Sequence, residues 1–160
     1  MALPERLRPW PPAMAVGVRV TARCDQAVRA AAELAARRRP ATGEDLAVAI
    51  GVSLRSLHGI LTQLTRAGLL VRQRGAHGGY QLARLASSVT VADVVRAVDG
   101  PFDDGPPPEA GDGPSGILSE VWNALRVSEL AVLEAVTLAD LAAGRLPDSV
   151  RALTWGVAEV

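Results

Sequence analysis

The side chains that could do chemistry in this chain are mostly arginines, gathered in the stretch from Val52 to Arg84, VSLRSLHGILTQLTRAGLLVRQRGAHGGYQLAR. A guanidinium is a planar fork of donors that can pair with both acceptors on the major-groove edge of guanine, or hold phosphate without reading sequence. Arg55, two residues after the helix start signal at Ser53, is placed for the guanine contact, with Ser56, His58, Gly59 and Gln63 as neighbours. Arg74 precedes Gly75 in a glycine-rich tip, where backbone and guanidinium can enter a minor groove without a Cβ clash, and His77 stands on its rim. Arg19, Arg23, Arg66 and Arg72 suit phosphates. The bland alternative for Arg55 is a solvated surface charge, since apolar spacing does not decide which exposed face meets DNA.

The other reactive groups point to less. Cys24 is the only cysteine, which excludes an intrachain disulfide and a cysteine metal cage within one chain. It is either a thiol sensor activated by nearby arginines, a bridge between two subunits, or a small buried hydrophobe. His58 and His77 are too far apart to act as local metal ligands. Asp103, Asp104, Glu109 and Asp112 lie among prolines and glycines, a pattern of a solubilising linker more than of a metal site. No nucleophile-and-base arrangement, phosphate loop followed by Lys or carboxylate pair is legible, so an enzyme is not expected, nor is a cofactor.

A chain of 160 residues allows one domain with an appended element to hold these groups. Net charge is zero, but its distribution is uneven. Between residues 15 and 100 there are twelve arginines against six carboxylates; beyond residue 100, three against ten. Such asymmetry points to a nucleic-acid-binding part joined to a part of another kind. No apolar run is long enough for a membrane span, and the first residues make a poor signal peptide, so a cytoplasmic location is the default. Residues 1–17 are expected to be a disordered tail, with Met1 and Met14 both candidate starts.

Helical spacing of Ala27, Val28, Ala31, Leu34 and Ala35 predicts a first helix from Thr21 to Arg38. Thr42 with Asp45 caps a short second helix that stops at Gly51, and Ser53 caps a third from Leu54 to Ala67. The spacing puts Leu54, Leu57, Leu61 and Leu64 on the apolar face of the third helix, with Ile60 at its margin. Leu69 to Val71 and Tyr80 to Leu82 read as two strands around the glycine tip. Thr90 with Asp93 starts a fourth helix ending at Gly100-Pro101. The predicted fold is mainly α with a small β wing: a winged helix-turn-helix domain over 18–100 and an acidic Pro/Gly loop over 101–116. After these come a long helix from Ile117 to Ala135 with a short capped helix, together 117–144, and a tail over 145–160. The seam of Val121, Leu125, Ser128, Val132 and Ala135 exceeds what a small domain needs.

These residues resemble the IscR- and NsrR-type winged helix-turn-helix regulators, the Rrf-two family. The likeness runs from about Val18 to Leu141. It is carried by Val18-Arg19-Val20-Thr21 with Ala27-Val28-Arg29-Ala30, Ile50-Gly51-Val52-Ser53 with Leu57, and above all the RGAHGGYQLA run from Arg74 to Ala83. Val91-Ala92-Asp93-Val94, Gly100-Pro101, Trp122 and Thr137 to Leu141 add to it. The resemblance implies a homodimer on a palindromic operator, paired through the long helix. Members that sense iron or nitric oxide carry three loop cysteines, and this chain has none between Pro101 and Gly116; the position that can supply a histidine is Ser119. A cluster-free member is therefore expected, because such clusters are held by thiolates. Departures at Ser56, His58-Gly59 and Asp25-Gln26 leave the operator sequence open.

The function expected is a dimeric, sequence-specific transcriptional regulator of double-stranded DNA, with repression as the expected sense and no effector identified. The alternatives are a winged-helix protein-interaction module that has lost DNA binding, and a thiol-responsive regulator acting through Cys24.

Overall fold

The computed structural model describes residues 21–102 and 114–155; the expected tail over 1–17 and most of the loop over 101–116 lie outside them. Helix α1 (Ala22–Arg37) starts where the Thr21 hydroxyl accepts the Cys24 N–H at 3.0 Å, and buries Ala27, Ala30, Ala31 and Leu34. Helix α2 (Gly43–Ile50) has the reciprocal Thr42–Asp45 cap and closes on Gly51, whose φ of 73° is the left-handed conformation glycine adopts without penalty. Helix α3 (Leu54–Arg66) is capped by Ser53, and the chain direction turns by 115° between α2 and α3, within the range of a helix-turn-helix.

The apolar face of α3 differs from the expectation at its ends. Leu57, Ile60, Leu61 and Leu64 are buried, so Ile60 is core and not margin, while Leu54 is 42% exposed. Leu54 sits in the first turn at the edge of α2, where a Cβ on Gly43 would stand 3.1 Å from its Cδ1. The buried set is the i, i+3, i+4, i+7 stripe that one helix face can present to α1.

Strands β1 (Leu70–Gln73) and β2 (Gly79–Leu82) pair antiparallel, Leu70 opposite Leu82 and Gln73 opposite Gly79. A 3-10 turn at Ala86–Ser88 leads to α4 (Val91–Asp99), which buries Ala92, Val94, Val95 and Val98. Helix α5 (Pro114–Ala135) begins three residues before the expected Ile117. Helix α6 (Leu138–Ala142) follows, and the segment after Arg145, uninformative in sequence, contains α7 (Asp148–Trp155) with Val150 buried.

The division of the chain near Gly100 is not a division of the core. The Val91 N–H bonds the Val136 carbonyl and the Leu138 N–H bonds the Val89 carbonyl, both at 2.9 Å, so the capped starts of α4 and α6 lie side by side. Leu138 is fully buried in the same cluster as Leu34, Leu46 and Leu64. Burial of a side chain of this size contributes about 1.5–3 kcal/mol, so α6 is a structural part of the winged-helix half although it follows the long helix. By contrast, α5 leaves Ile117, Leu118, Val121, Leu125 and Val127 between 39% and 66% exposed.

Candidate nucleic-acid interface

On a helix with its core stripe at Leu57, Ile60, Leu61 and Leu64, the directly opposite positions are Arg55, Gly59, Thr62 and Arg66. Arg55 and Arg66 are exposed and have no ion-pair partner among the described residues. His58 is exposed on one flank, and its carbonyl accepts the Thr62 hydroxyl at 2.9 Å. Thr62 thus belongs to the outward stripe.

The other flank is held by α1. Arg23 donates Nε at 3.2 Å and Nη2 at 2.5 Å to Oε1 of Gln63, and the Ser56 hydroxyl is 2.9 Å from Oε1 of Gln26. Ser56 and Gln63 are therefore not free readers, and Arg23 is tied to α3 rather than reaching outward alone. Arg19 lies outside the described residues. Gln26, legible in sequence only as part of a departure from the family pattern, joins the candidate surface through a partner 30 residues away.

The wing is built by close backbone approach. Ala41, just before α2, exchanges two backbone hydrogen bonds with Tyr80, and a Cβ on Gly79 would overlap the Ala41 carbonyl. Gly78 is equally constrained, since a Cβ there would stand 2.5 Å from the Gln73 carbonyl oxygen. At the tip, Gly75 has φ 113° and its carbonyl accepts the Gly78 N–H at 2.9 Å. Arg74, Gly75 and His77 are exposed there. The Arg72 guanidinium lies 5.8 Å from the Tyr80 ring centre, which orients it by cation–π attraction. A cleft of about 640 Å³ separates the wing from the start of α2, lined by Thr42, Arg72, Arg74, Gly75 and Tyr80. The Thr42 hydrogen bonds hold the Asp45 carboxyl below its usual pKa, and Arg37 and Arg39 add to the effect.

Of the three readings of Cys24, the geometry favours the small buried hydrophobe. It is 3% exposed, and burial, then Asp99 and Asp25, push its thiol pKa up, opposite to the arginine-activated thiolate expected of a sensor. It packs as a small hydrophobe. The donor set also does not fit an iron–sulfur cluster: the sequence has one cysteine, and among the described residues no three His, Cys, Asp or Glu side chains are grouped to hold a metal. No single helix among the described residues is long and apolar enough to cross a membrane.

Comparison with known proteins agrees with this geometry. The family model "Rrf2: Iron-dependent Transcriptional regulator" matches residues 20–144. Rv1287 of Mycobacterium tuberculosis, a candidate HTH-type transcriptional regulator, is 42% identical over 145 residues, covering 85% of this chain and 88% of the relative. The solved structure of CymR, the global cysteine regulator of B. subtilis, superposes with a TM-score of 0.71 at 27% identity, covering 80% of this chain and 98% of CymR. That of T. potens IscR gives 0.66 at 30% identity, covering 81% and 90%.

Proposed function

Because the chain belongs to the Rrf2 family of DNA-binding transcriptional regulators, we propose that it acts as a cluster-free homodimer on a palindromic operator and represses the promoter it occupies. The observation that carries this reading is the pairing of an outward arginine stripe on α3 with an arginine-bearing wing tip on the same half of the molecule. Arg55 reads guanine, Arg74 enters the minor groove beside Gly75, and Arg66, Arg72 and the free donors of Arg23 meet phosphates. Ser56, His58, Gly59 and His77 complete the surface, and Arg19 is assigned to a phosphate.

The second copy covers α5. Ile117, Val121 and Leu125 recur every four residues and leave an apolar seam in water that a two-fold mate would bury. Such a dimer presents its two α3 helices about 34 Å apart, one turn of DNA. The protein works in the cytoplasm, where the DNA is. The exposed arginines of α3 and the wing, Arg55, Arg66, Arg72 and Arg74, favour DNA over a protein-interaction module, and the burial of Cys24 counts against a thiol switch.

Fluorescence anisotropy with DNA from upstream of the chain's own coding region, at 50 and 200 mM salt, tests the reading. Affinity falls on the order of ten-thousandfold across that range if some eight phosphate contacts form per dimer. Arg74→Ala weakens binding about tenfold. Salt-insensitive binding, or an Arg74→Ala protein that binds as tightly as the parent, would sink it.

A further inference from the structure

We propose that Gln63 reads DNA as a donor only, because Arg23 occupies its acceptor, and that the pair thereby selects guanine over adenine at one position of each half-site. The inference rests on the DNA-binding reading above and refines it.

Arg23 lies in the first turn of α1 and Gln63 in the third turn of α3, 40 residues apart. Nε and Nη2 of the one guanidinium converge on a single Gln63 oxygen, at 3.2 and 2.5 Å. A guanidinium has five N–H donors and no acceptor, so the amide atom facing it is oxygen whichever way the amide is placed. The Nε2 group, with two hydrogens and nothing to accept with, is what remains for a partner.

That changes the code of the residue. An unconstrained glutamine pairs with adenine by giving Nε2–H to N7 and accepting N6–H on Oε1. With Oε1 held by two charge-assisted bonds, that second half is removed unless the Arg23 pair breaks. Guanine presents O6 and N7, two acceptors, and matches an amide that only donates; cytosine presents a donor and is not matched.

Gly59 leaves open space beneath the Arg23 guanidinium. A Cβ there would stand 3.5 Å from Nη2 of Arg23, so the guanidinium lies over the space that a longer side chain at 59 would take. Ser56, Gly59 and Gln63 form one flank of α3 at helical spacing, and Arg23 and Gln26 contact both its ends. Arg23 is thus a positioning residue for Gln63, separate from any phosphate contact its remaining N–H groups make.

The test is selection and sequencing of random duplex DNA by the full chain and by Gln63→Ala, Gln63→Glu and Arg23→Ala. The parent prefers guanine at a position that Gln63→Ala renders indifferent. Arg23→Ala frees Oε1 and moves that position toward adenine, by roughly tenfold in the guanine-to-adenine ratio, with the other positions unchanged. Gln63→Glu keeps the Arg23 pair, has no donor, and moves the same position toward cytosine. An Arg23 that is merely structural or electrostatic lowers affinity for every sequence alike, without changing a ratio. A parent preference for adenine at the Gln63-dependent position, or an unchanged ratio in Arg23→Ala, overturns the proposal. Failure of the parent to enrich any duplex overturns the DNA-binding reading itself, and this inference with it.

Discussion

Tyr80 and Ala41 exchange two backbone hydrogen bonds, Tyr80 N–H to the Ala41 carbonyl at 2.8 Å and Ala41 N–H to the Tyr80 carbonyl at 3.0 Å. The two-residue link stitches the wing to the segment between α1 and α2. Together with the burial of Leu70 in the core and the packing of Tyr80 and Leu82 against it, the link sets where Arg72 and Arg74 stand relative to α3.

Gly79 is the residue that lets these backbones approach. Its φ is 153°, and a Cβ would overlap the Ala41 carbonyl, so both conformation and space exclude a side chain. Gly79→Ala is expected to cost about 2 kcal/mol in urea unfolding and to weaken DNA binding through the displaced tip. An unchanged unfolding midpoint would show that the Ala41–Tyr80 link does not position the wing.

The core stripe of α3 separates two leucines that look alike in sequence. Leu57→Ala, at a fully buried position, is expected to cost about 3 kcal/mol in the same assay. Leu54→Ala, at 42% exposure, should cost less than about 0.5 kcal/mol. Equal losses would mean that α3 is rotated from the placement described.

Acid sensitivity follows from two helix caps. Thr42 and Thr137 hold the carboxyls of Asp45 and Asp140 below their usual pKa, chiefly through side-chain and backbone hydrogen bonds, with nearby arginines adding to each. A folded-state pKa below the unfolded one contributes stability that is complete above the unfolded carboxylate value, about 3.9, and is lost as pH falls through the lowered folded value. Urea midpoints measured from pH 6 to pH 2 should fall below about pH 4, and the fall should be shallower in a Thr42→Ala, Thr137→Ala double variant. Parallel curves for parent and variant would exclude the caps as its source.

The α5 seam predicts the oligomeric state. Val121→Glu with Leu125→Glu would place carboxylates where the proposed interface is dry, at positions 52% and 39% exposed in the single chain. Sedimentation should find a dimer for the parent and a monomer for the variant, with unchanged helical circular dichroism and weaker operator binding. A variant that stays dimeric places the interface elsewhere.

The order of the elements through the fourth helix, the three reciprocal Thr–Asp caps and the glycine turns were legible in the sequence, as was membership of a DNA-binding family. They depend on residues within four or five positions of one another, and the physics of caps, periodic apolar faces and left-handed glycines is local. The expectation of a winged helix-turn-helix fold was met for this reason. The phase of the α3 stripe was less legible, because an apolar first-turn residue such as Leu54 fits the periodicity whether or not the core extends that far.

What the sequence by itself determined was the set of candidate groups: an arginine-rich reading helix, a glycine-lined wing, and a single cysteine too few for a cluster. Only the tertiary structure decided how those groups stand. It buried Cys24 beside Asp99, brought Leu138 into the core of the winged half, and joined Arg23 to Gln63 across 40 residues. No local rule reaches such distances: which flank of α3 meets α1 is set by the packing of Ala27, Ala30 and Leu34 against the buried leucines, and that packing determines whether a glutamine keeps its acceptor.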